Sequence, residues 1–499
     1  MNIKIDLTAG FAAFCLLLLA AAPVQAQVRS GPGSPSCTVV REAIVTLRPP
    51  FYGSPAIWDA TFGGKNNLVQ FAAALALDNG NVLAAGETLD KNFKPVEQIM
   101  IELNRRARAV DDKRNPAKPG EHTSGILKTD QGYVTSAGFF GGRNNSEKWV
   151  RLAWYDSARK FTRDMVLKDA AYDYESQGIT RAVNGHGFVA LVYATSRKDP
   201  NDQYGMLFRI NESGRLLWKR AYRPGIPNQI YGVDVADARH YIAGGRIRNE
   251  DGRMAGWIMK LNDDGTIVWQ NTYPRGNFAV LRSGYAKTGD QAGDHYVLTG
   301  QVMPIGGDPG AAWVMEVDAM GVPLWQRYFR ATGYDIDGRS INAYGDGRIS
   351  VMANAKAIDD AEGQQSHIRL FTLSPRGGLM EDESYVEGHS TVGTQMIVGT
   401  KAPWNGERIV TAFIEKGGEI RNDEKKVELI TDALVRQEKE KSMAQDGNLF
   451  GPPAPTPEQA AQIAQNMPEE IYHQGWVFVA TALDPYHDPC LMPEASPAE

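Results

Sequence analysis

Cysteine is scarce, three residues in 499, and the eight histidines are scattered. So few thiols exclude a disulfide-dense scaffold and a clustered cysteine–histidine metal centre. No run of about 18 apolar residues occurs, so no membrane-spanning helix is expected. Neither charge sign dominates: 53 basic against 59 acidic side chains, net −6, excludes a strongly basic nucleic-acid binder. The chain also lacks His-Glu-x-x-His, Gly-x-Ser-x-Gly and a phosphate-binding P-loop, and no cofactor or metal is expected. Glycine is abundant, at 51 residues, beside 27 prolines, 10 tryptophans and 19 tyrosines. That mixture favours short strands and tight turns.

Residues 1–26 read as a secretory signal peptide. Lys4 precedes the apolar run Phe11 to Ala22, Pro23 breaks it, and Val24 and Ala26 supply small residues before a cut at Gln27. Cys15 lies inside the run behind Phe14, so lipid attachment is not expected. Export leaves two cysteines, Cys37 and Cys490, an even pair that suggests a disulfide; two free thiols are the alternative.

A repeat organises most of the remainder. A turn, an apolar strand and, in most copies, a small residue six positions on recur as Gly80 to Gly86, Gly132 to Gly138 and Gly187 to Tyr193. Further copies are Arg239 to Gly245, Asp294 to Gly300, Gly347 to Ala353 and Gly406 to Ala412. A second element has an Asn or Asp, Gly three residues on and Trp seven residues on: Asn211, Gly214 and Trp218; Asn262, Gly265 and Trp269; Asp318, Gly321 and Trp325. Such turns suit short hairpin loops. Each unit of roughly 54 residues therefore holds four short strands, the pattern of a propeller blade. The tryptophans are read as packing between neighbouring sheets.

The seventh copy lacks a fourth strand, while Trp58 to Phe62 is a fourth strand without its first three. The expected fold is all-β: a seven-bladed β-propeller with its ring closed by the N-terminal strand, leaving no exposed sheet edge there. That closure brings Cys37 and Cys490 together, and a disulfide over so long a loop contributes up to about 5 kcal/mol in the chain-entropy model. The expected segments are the signal 1–26, an N-terminal tail 27–54, the propeller 55–416, an insert 417–474, a last strand within 475–490 and a tail 491–499.

Trp58 to Gly64, Thr129 to Val134 and Gly256 to Asn262 resemble a bacterial family of secreted propeller-like repeats. Its units read W-V-x-K-L-D-x-x-G-x-x-x-W-x-x-T-Y-G-G and then T-x-D-G-G-Y-x-x-A-G. The resemblance covers about 40 to 415 and 475 to 485, and is looser to the Trp-docked repeats of quinoprotein-like propellers. It implies a fold and carries no catalytic residues. At the Trp position three units depart from the pattern, with Asp111, Arg163 and Glu381.

The insert interrupts the last blade. Val427, Ile430, Leu434 and Val435 make one helical face, and Thr456, Pro457 and Gln459 open a second helix, so a helical hairpin is expected. It holds 11 acidic and 6 basic residues, net −5 of the total −6. Two readings stand for it: a lid or partner dock, or an insertion packed on the blade rim.

The residues just before each innermost strand should approach the channel mouth. They are Asn67, His122, Glu175, Gln229, Arg282, Asp337 and His389, all polar and of both signs. Either they converge on a polar ligand or they line a hydrated channel. The expected function is an exported, non-catalytic binding or scaffold protein, monomeric, periplasmic or secreted. Its partner is a protein or polysaccharide, not a nucleic acid. The alternative is a carbohydrate-active hydrolase or lyase at the channel mouth, with Glu175, Asp337, His122 and Arg282 as its acid–base groups.

Overall fold

The computed structural model describes residues 39–49, 56–64, 67–287, 295–304, 308–358, 366–388, 390–399, 402–416 and 472–481. The three cysteines, His389 and the expected helices of the insert lie outside the described residues.

The chain is all-β. Among the described residues there is no α-helix and one 3-10 turn, Arg143–Asn145. β1 (Glu42–Thr46) and β2 (Ala56–Phe62) come first. β3 (Leu68–Ala76), β4 (Val82–Leu89), β5 (Pro95–Leu103) and β6 (Ala109–Pro116) then form an antiparallel meander. The pattern recurs in β7 (His122–Thr129), β8 (Gly132–Gly141), β9 (Glu147–Asp156) and β10 (Phe161–Leu167). It recurs in β11 (Tyr172–Arg181), β12 (Phe188–Ser196), β13 (Gln203–Ile210) and β14 (Leu216–Tyr222).

β15 (Asn228–Val235), β16 (His240–Arg248), β17 (Met254–Asn262) and β18 (Ile267–Tyr273) repeat it, as do β19 (Phe278–Lys287), β20 (His295–Met303), β21 (Ala311–Val317) and β22 (Pro323–Arg330). One parallel bridge, Met254 to Phe278, joins these two meanders into a larger sheet. β23 (Tyr334–Ala343), β24 (Ile349–Ala357), β25 (Ser366–Leu373) and β26 (Leu379–Tyr385) are followed by β27 (Ser390–Val398), β28 (Arg408–Lys416) and β29 (Tyr472–Ala480). Ser366 and Ser390 bridge these two groups. β29 starts at Tyr472, inside the stretch assigned to the insert. Its free edge is taken by β2, antiparallel from Ala56↔Ala480 to Phe62↔Gly475.

Burial explains the sequence pattern. The middle strands of each meander are buried on both faces and read as apolar runs, as in β12 and β13. The outer strands β14 and β18 are mostly exposed and carry the polar residues. Apolar clusters form between successive meanders: Val134, Leu152 and Trp154 pack with Phe188 and Phe208. Each such side chain contributes about 1.5–3 kcal/mol when fully buried.

The tail expected before residue 55 contains a strand. β1 lies parallel to β22, from Glu42↔Gln326 to Thr46↔Arg330. Farther along, the Arg48 N–H donates to Asp382 at 3.0 Å, and Arg369 donates to the Arg48 carbonyl at 2.7 Å.

The Asn/Asp turns work through their side chains. Asn211 and Asp318 each accept the backbone N–H four residues on, both at 2.8 Å. Gly214 and Gly321 take φ of +80° and +79° there, which favours glycine. The tryptophan of each outer strand reaches the next meander's turn. Trp218 donates to the Asp263 carbonyl at 2.9 Å and Trp269 to the Ala319 carbonyl at 2.8 Å. A Cβ on Gly321 would lie 2.7 Å from the Trp269 ring and one on Gly377 2.8 Å from Trp325, so the turn glycine is also the seat of the indole.

Two of the departures from Trp reach the same place by other means. Arg163 donates to the Glu212 carbonyl at 3.0 Å and also to that of Ser213. Asp111 is ion-paired with Arg159, which holds the next turn's positive-φ position at +62°.

Candidate functional site

Seven strands carry a β-bulge at one shared position. The ladders skip Ala72 in β3, Ser124 in β7, Gln177 in β11, Tyr231 in β15, Arg282 in β19, Arg339 in β23 and Thr394 in β27. An extra residue bends its strand and re-aims a side chain, and bulges are common beside functional sites. The pairing also explains the recurring small residue. Gly86, Gly245, Gly300, Ala353 and Ala412 sit opposite the last paired residue before the bulge. A Cβ on Gly86, Gly245 or Gly300 would collide with the carbonyl oxygen of Gln70, Gln229 or Val280, two residues before the bulge.

This frame sorts the sequence candidates. His122, Glu175, Gln229 and Asp337 all lie two residues before a bulge, whereas Arg282 is itself a bulge residue. Asn67 is exposed and bridges Gly64 ahead of β3. The structure brings Arg282 and Asp337 together: the Arg282 Nε donates to Asp337 at 2.8 Å. Arg339 pairs with the other oxygen of Asp337 at 2.9 Å. Gln229 donates to Gln177 at 3.1 Å and accepts from Arg246 at 3.0 Å. Glu175 is ion-paired with Lys148, and the His122 Nδ1 lies 3.1 Å from Glu87.

Tyr231 was not among the candidates, and it joins the parts. The Arg282 guanidinium lies 4.8 Å from its ring centroid and that of Arg246 5.6 Å. Burial opposes the Arg282 charge, but Asp337 and Tyr231 outweigh it and hold its pKa above the ordinary arginine value. Counting back eight residues from the hairpin turns at Gly80, Gly132, Arg239 and Gly347 would have found Ala72, Ser124, Tyr231 and Arg339. The other turns follow longer loops, so that signal fails at Gln177, Arg282 and Thr394.

Asp234, also missed, stands three residues past the bulge in β15. Burial pushes its carboxyl up to about 6, against the Val235 N–H that it accepts at 2.8 Å.

No group of three or more His, Cys, Asp or Glu side chains suited to a metal ion occurs among the described residues. A polar cleft of about 440 Å³ lies at Asp78, Glu102, Lys128 and Arg159. Its charges satisfy one another. Lys128 meets Asp78 at 2.5 Å, and Glu102 accepts from Asn79, Asn81 and Arg159. Burial would raise the Glu102 carboxyl, but those donors hold it below its ordinary value. No helix among the described residues is long and apolar enough to cross a membrane.

No protein-family model and no curated protein matches the chain. Solved structures are similar at low identity. An α-L-arabinanase of Penicillium chrysogenum complexed with arabinobiose is 10% identical, with a TM-score of 0.38 over 62% of this chain and 98% of that one. Sqt1 from Chaetomium thermophilum is 9% identical, with a TM-score of 0.39 over 72% and 85%. A levansucrase of Bacillus subtilis in complex with oligosaccharides is 9% identical, with a TM-score of 0.33 over 47% and 78%.

Proposed function

We propose that the chain is an exported, non-catalytic β-propeller that binds a macromolecular or glycan partner through the face built by its bulged strands. The observation that carries this reading is the run of polar links between successive bulged strands: Ser124 to Ser176, Gln177 to Gln229, Tyr231 to Arg282 and Arg282 to Asp337. The bulges of those strands carry Ser124, Gln177, Tyr231, Arg282 and Arg339 on one shared backbone arrangement, which suits a recognition surface on a rigid scaffold. The charged candidates are held by opposite or complementary partners, which favours binding over acid–base work.

Seven blades and a closed ring accompany this reading. Supports are the pairing of β2 with β29, and the Ala74 N–H donating to Gln395 at 2.8 Å, which links the last bulged strand to the first. Export, a periplasmic or secreted location and a Cys37–Cys490 disulfide belong to the same proposal. Mass mapping of the exported protein should find the two cysteines in one linked peptide pair; two free thiols would remove the disulfide.

The function is tested on an oligosaccharide array, with the native chain and a chain carrying Gln229→Ala and Arg339→Gln. Binding by the first and its loss in the second is expected. Release of shortened or unsaturated sugars would instead favour the second reading, a carbohydrate-active hydrolase or lyase. Asp234 favours that reading, because a carboxyl raised to about 6 is suited to proton transfer near neutral pH. Products abolished by Asp234→Asn would overturn the non-catalytic reading.

A further inference from the structure

We infer that the outer edge of β14 is a docking site for an extended, acidic segment of a partner protein, added to it as a parallel strand. The precedent for that addition lies within the molecule. β1 runs parallel to β22, pairing Glu42 to Thr46 with Gln326 to Arg330. β14 ends its sheet, and no described strand pairs with its other edge. The two outer strands correspond residue by residue. Each ladder passes over the leucine before the tryptophan, Leu217 in β14 and Leu324 in β22. Lys219 to Arg223 therefore match the stretch that β1 covers. A bulge often guards a free edge against pairing, yet β22 carries the same one and accepts a strand. Strand addition to an exposed edge is a common way to capture an extended peptide.

What β1 covers on β22 stands open on β14. Leu324 and the Val45 of β1 pack against one apolar cluster, whereas Leu216 and Leu217 are 37% and 45% exposed. Arg327 holds the Gly377 carbonyl through Nε at 2.9 Å and the Val40 carbonyl of the added chain through Nη1 at 2.8 Å. Arg220 makes the first kind of bond, from Nε to the Asp264 carbonyl at 3.1 Å, and its side chain is 44% exposed. The group that fastens an added strand is thus repeated. Charge selects the partner. Among the described outer strands only β14 and β22 carry basic residues and no acidic one. On β22 the added strand brings Glu42 opposite Gln326. Lys219 takes that place in β14, exposed and without an ion-pair partner among the described residues. A glutamate in the place of Glu42 sets its carboxylate beside Lys219. Aliphatic residues in the places of Ala43 and Val45 take the other face. Beyond β1 the chain is locked by Arg48, which meets Asp382 and Arg369. The matching places in the meander after β14 hold Gln270 and Trp257. A strand on β14 has no such lock, which suits a partner that comes and goes.

Calorimetry on the mature chain tests this with three decapeptides: alternating Glu and Val, alternating Lys and Val, and alternating Glu and Pro. The last has the charge but lacks the N–H groups a ladder needs. The Glu–Val peptide should bind at least about ten-fold more tightly than either control. Lys219→Glu, at an exposed position, should weaken it about ten-fold and strengthen binding of the Lys–Val peptide. An unchanged melting temperature would show that the variant folds. Hydrogen exchange with the Glu–Val peptide bound should show new protection in residues 216–223 and nowhere else. Equal binding of the Glu–Pro peptide overturns strand addition. Indifference to Lys219→Glu, or new protection on another strand, overturns the assignment to β14. Loss of protection in β1 would show exchange with β1 on β22 and overturns it too. So does protection of the outward amides of β14 in the chain alone, which would mean that the protein already covers this edge. Failure of the Glu–Val peptide to bind at millimolar concentration overturns the whole inference.

Discussion

The outer strand and the bulged strand of each meander repeat equally well in backbone and differently in residue. On the outer strand, Trp218, Trp269 and Trp325 recur because each indole must cover the turn glycine of the next meander. Arg163 shows the constraint directly: it replaces the indole and still reaches the same turn, through the carbonyls of Glu212 and Ser213. At the bulge the backbone is what is constrained, and its close approach to the partner strand demands glycine at Gly86, Gly245 and Gly300. The bulge side chain is free to vary, and it runs from Ala72 through Gln177 and Tyr231 to Arg339. Identity is held where packing needs it and released where recognition can use it.

The comparison is broken most directly at an indole. Trp325 is 3% exposed, seats on Gly377 and donates to Glu316 at 2.7 Å. Trp325→Ala should lose about 4 kcal/mol in urea unfolding, from lost burial and the cavity left behind. A loss under about 1 kcal/mol would show that the repeated tryptophan is not there for packing.

A smaller effect comes from pH. His367 lies in β25, 1% exposed, edge-on to Tyr334 at 4.9 Å, with neither ring nitrogen hydrogen-bonded. Burial, with the nearby Arg369 charge, depresses its pKa from 6.5 to about 3. A depressed histidine leaves stability unaffected above pH 6.5. Below that the unfolded chain takes up the proton first, so stability falls as pH drops toward 3. The loss should reach about 2 kcal/mol at pH 5. His367→Leu should flatten this slope; an unchanged slope would assign it to other groups.

How much of this was legible in the sequence divides along the same line. The strand count per repeat and the packing role of the tryptophans follow from turn chemistry and from residues that recur; their seat on the next meander's turn glycine does not. The pairing of β2 with β29 was likewise visible, because Trp58 carries the outer-strand pattern without the three strands that precede it in the other units. The bulge was hidden, because it is a feature of pairing between strands and Ala72, Ser124 and Tyr231 share no side-chain property. Arg282 was therefore grouped with residues two positions away in register. Arg246 lies on the second strand, where the sequence offers only an apolar run and a small residue. β1 was invisible because a lone five-residue strand, Glu42–Thr46, has no repeat to be compared with.

The smallest effects should come from the bulges themselves, and they sharpen the comparison. Ala72 is half-buried in β3, and the ladder with β4 passes over it. Ala72→Gln places there the side chain that β11 carries at Gln177, on a backbone that already accepts it. Because the bulge is held by the neighbouring pairs Phe71↔Gly86 and Ala73↔Ala85, the new side chain changes no ladder hydrogen bond. Stability should stay within about 0.5 kcal/mol of the native chain, as for substitutions away from packed or buried polar positions. Ser124→Ala removes a hydroxyl that meets Ser176 at 2.6 Å and Ser136 at 2.9 Å, and should cost about 1 kcal/mol, one net hydrogen bond. Both should leave the melting transition single and cooperative. A loss above about 2 kcal/mol at Ala72 would mean that the bulge side chain is part of the packing between meanders, and the division between the two edges of each meander would disappear.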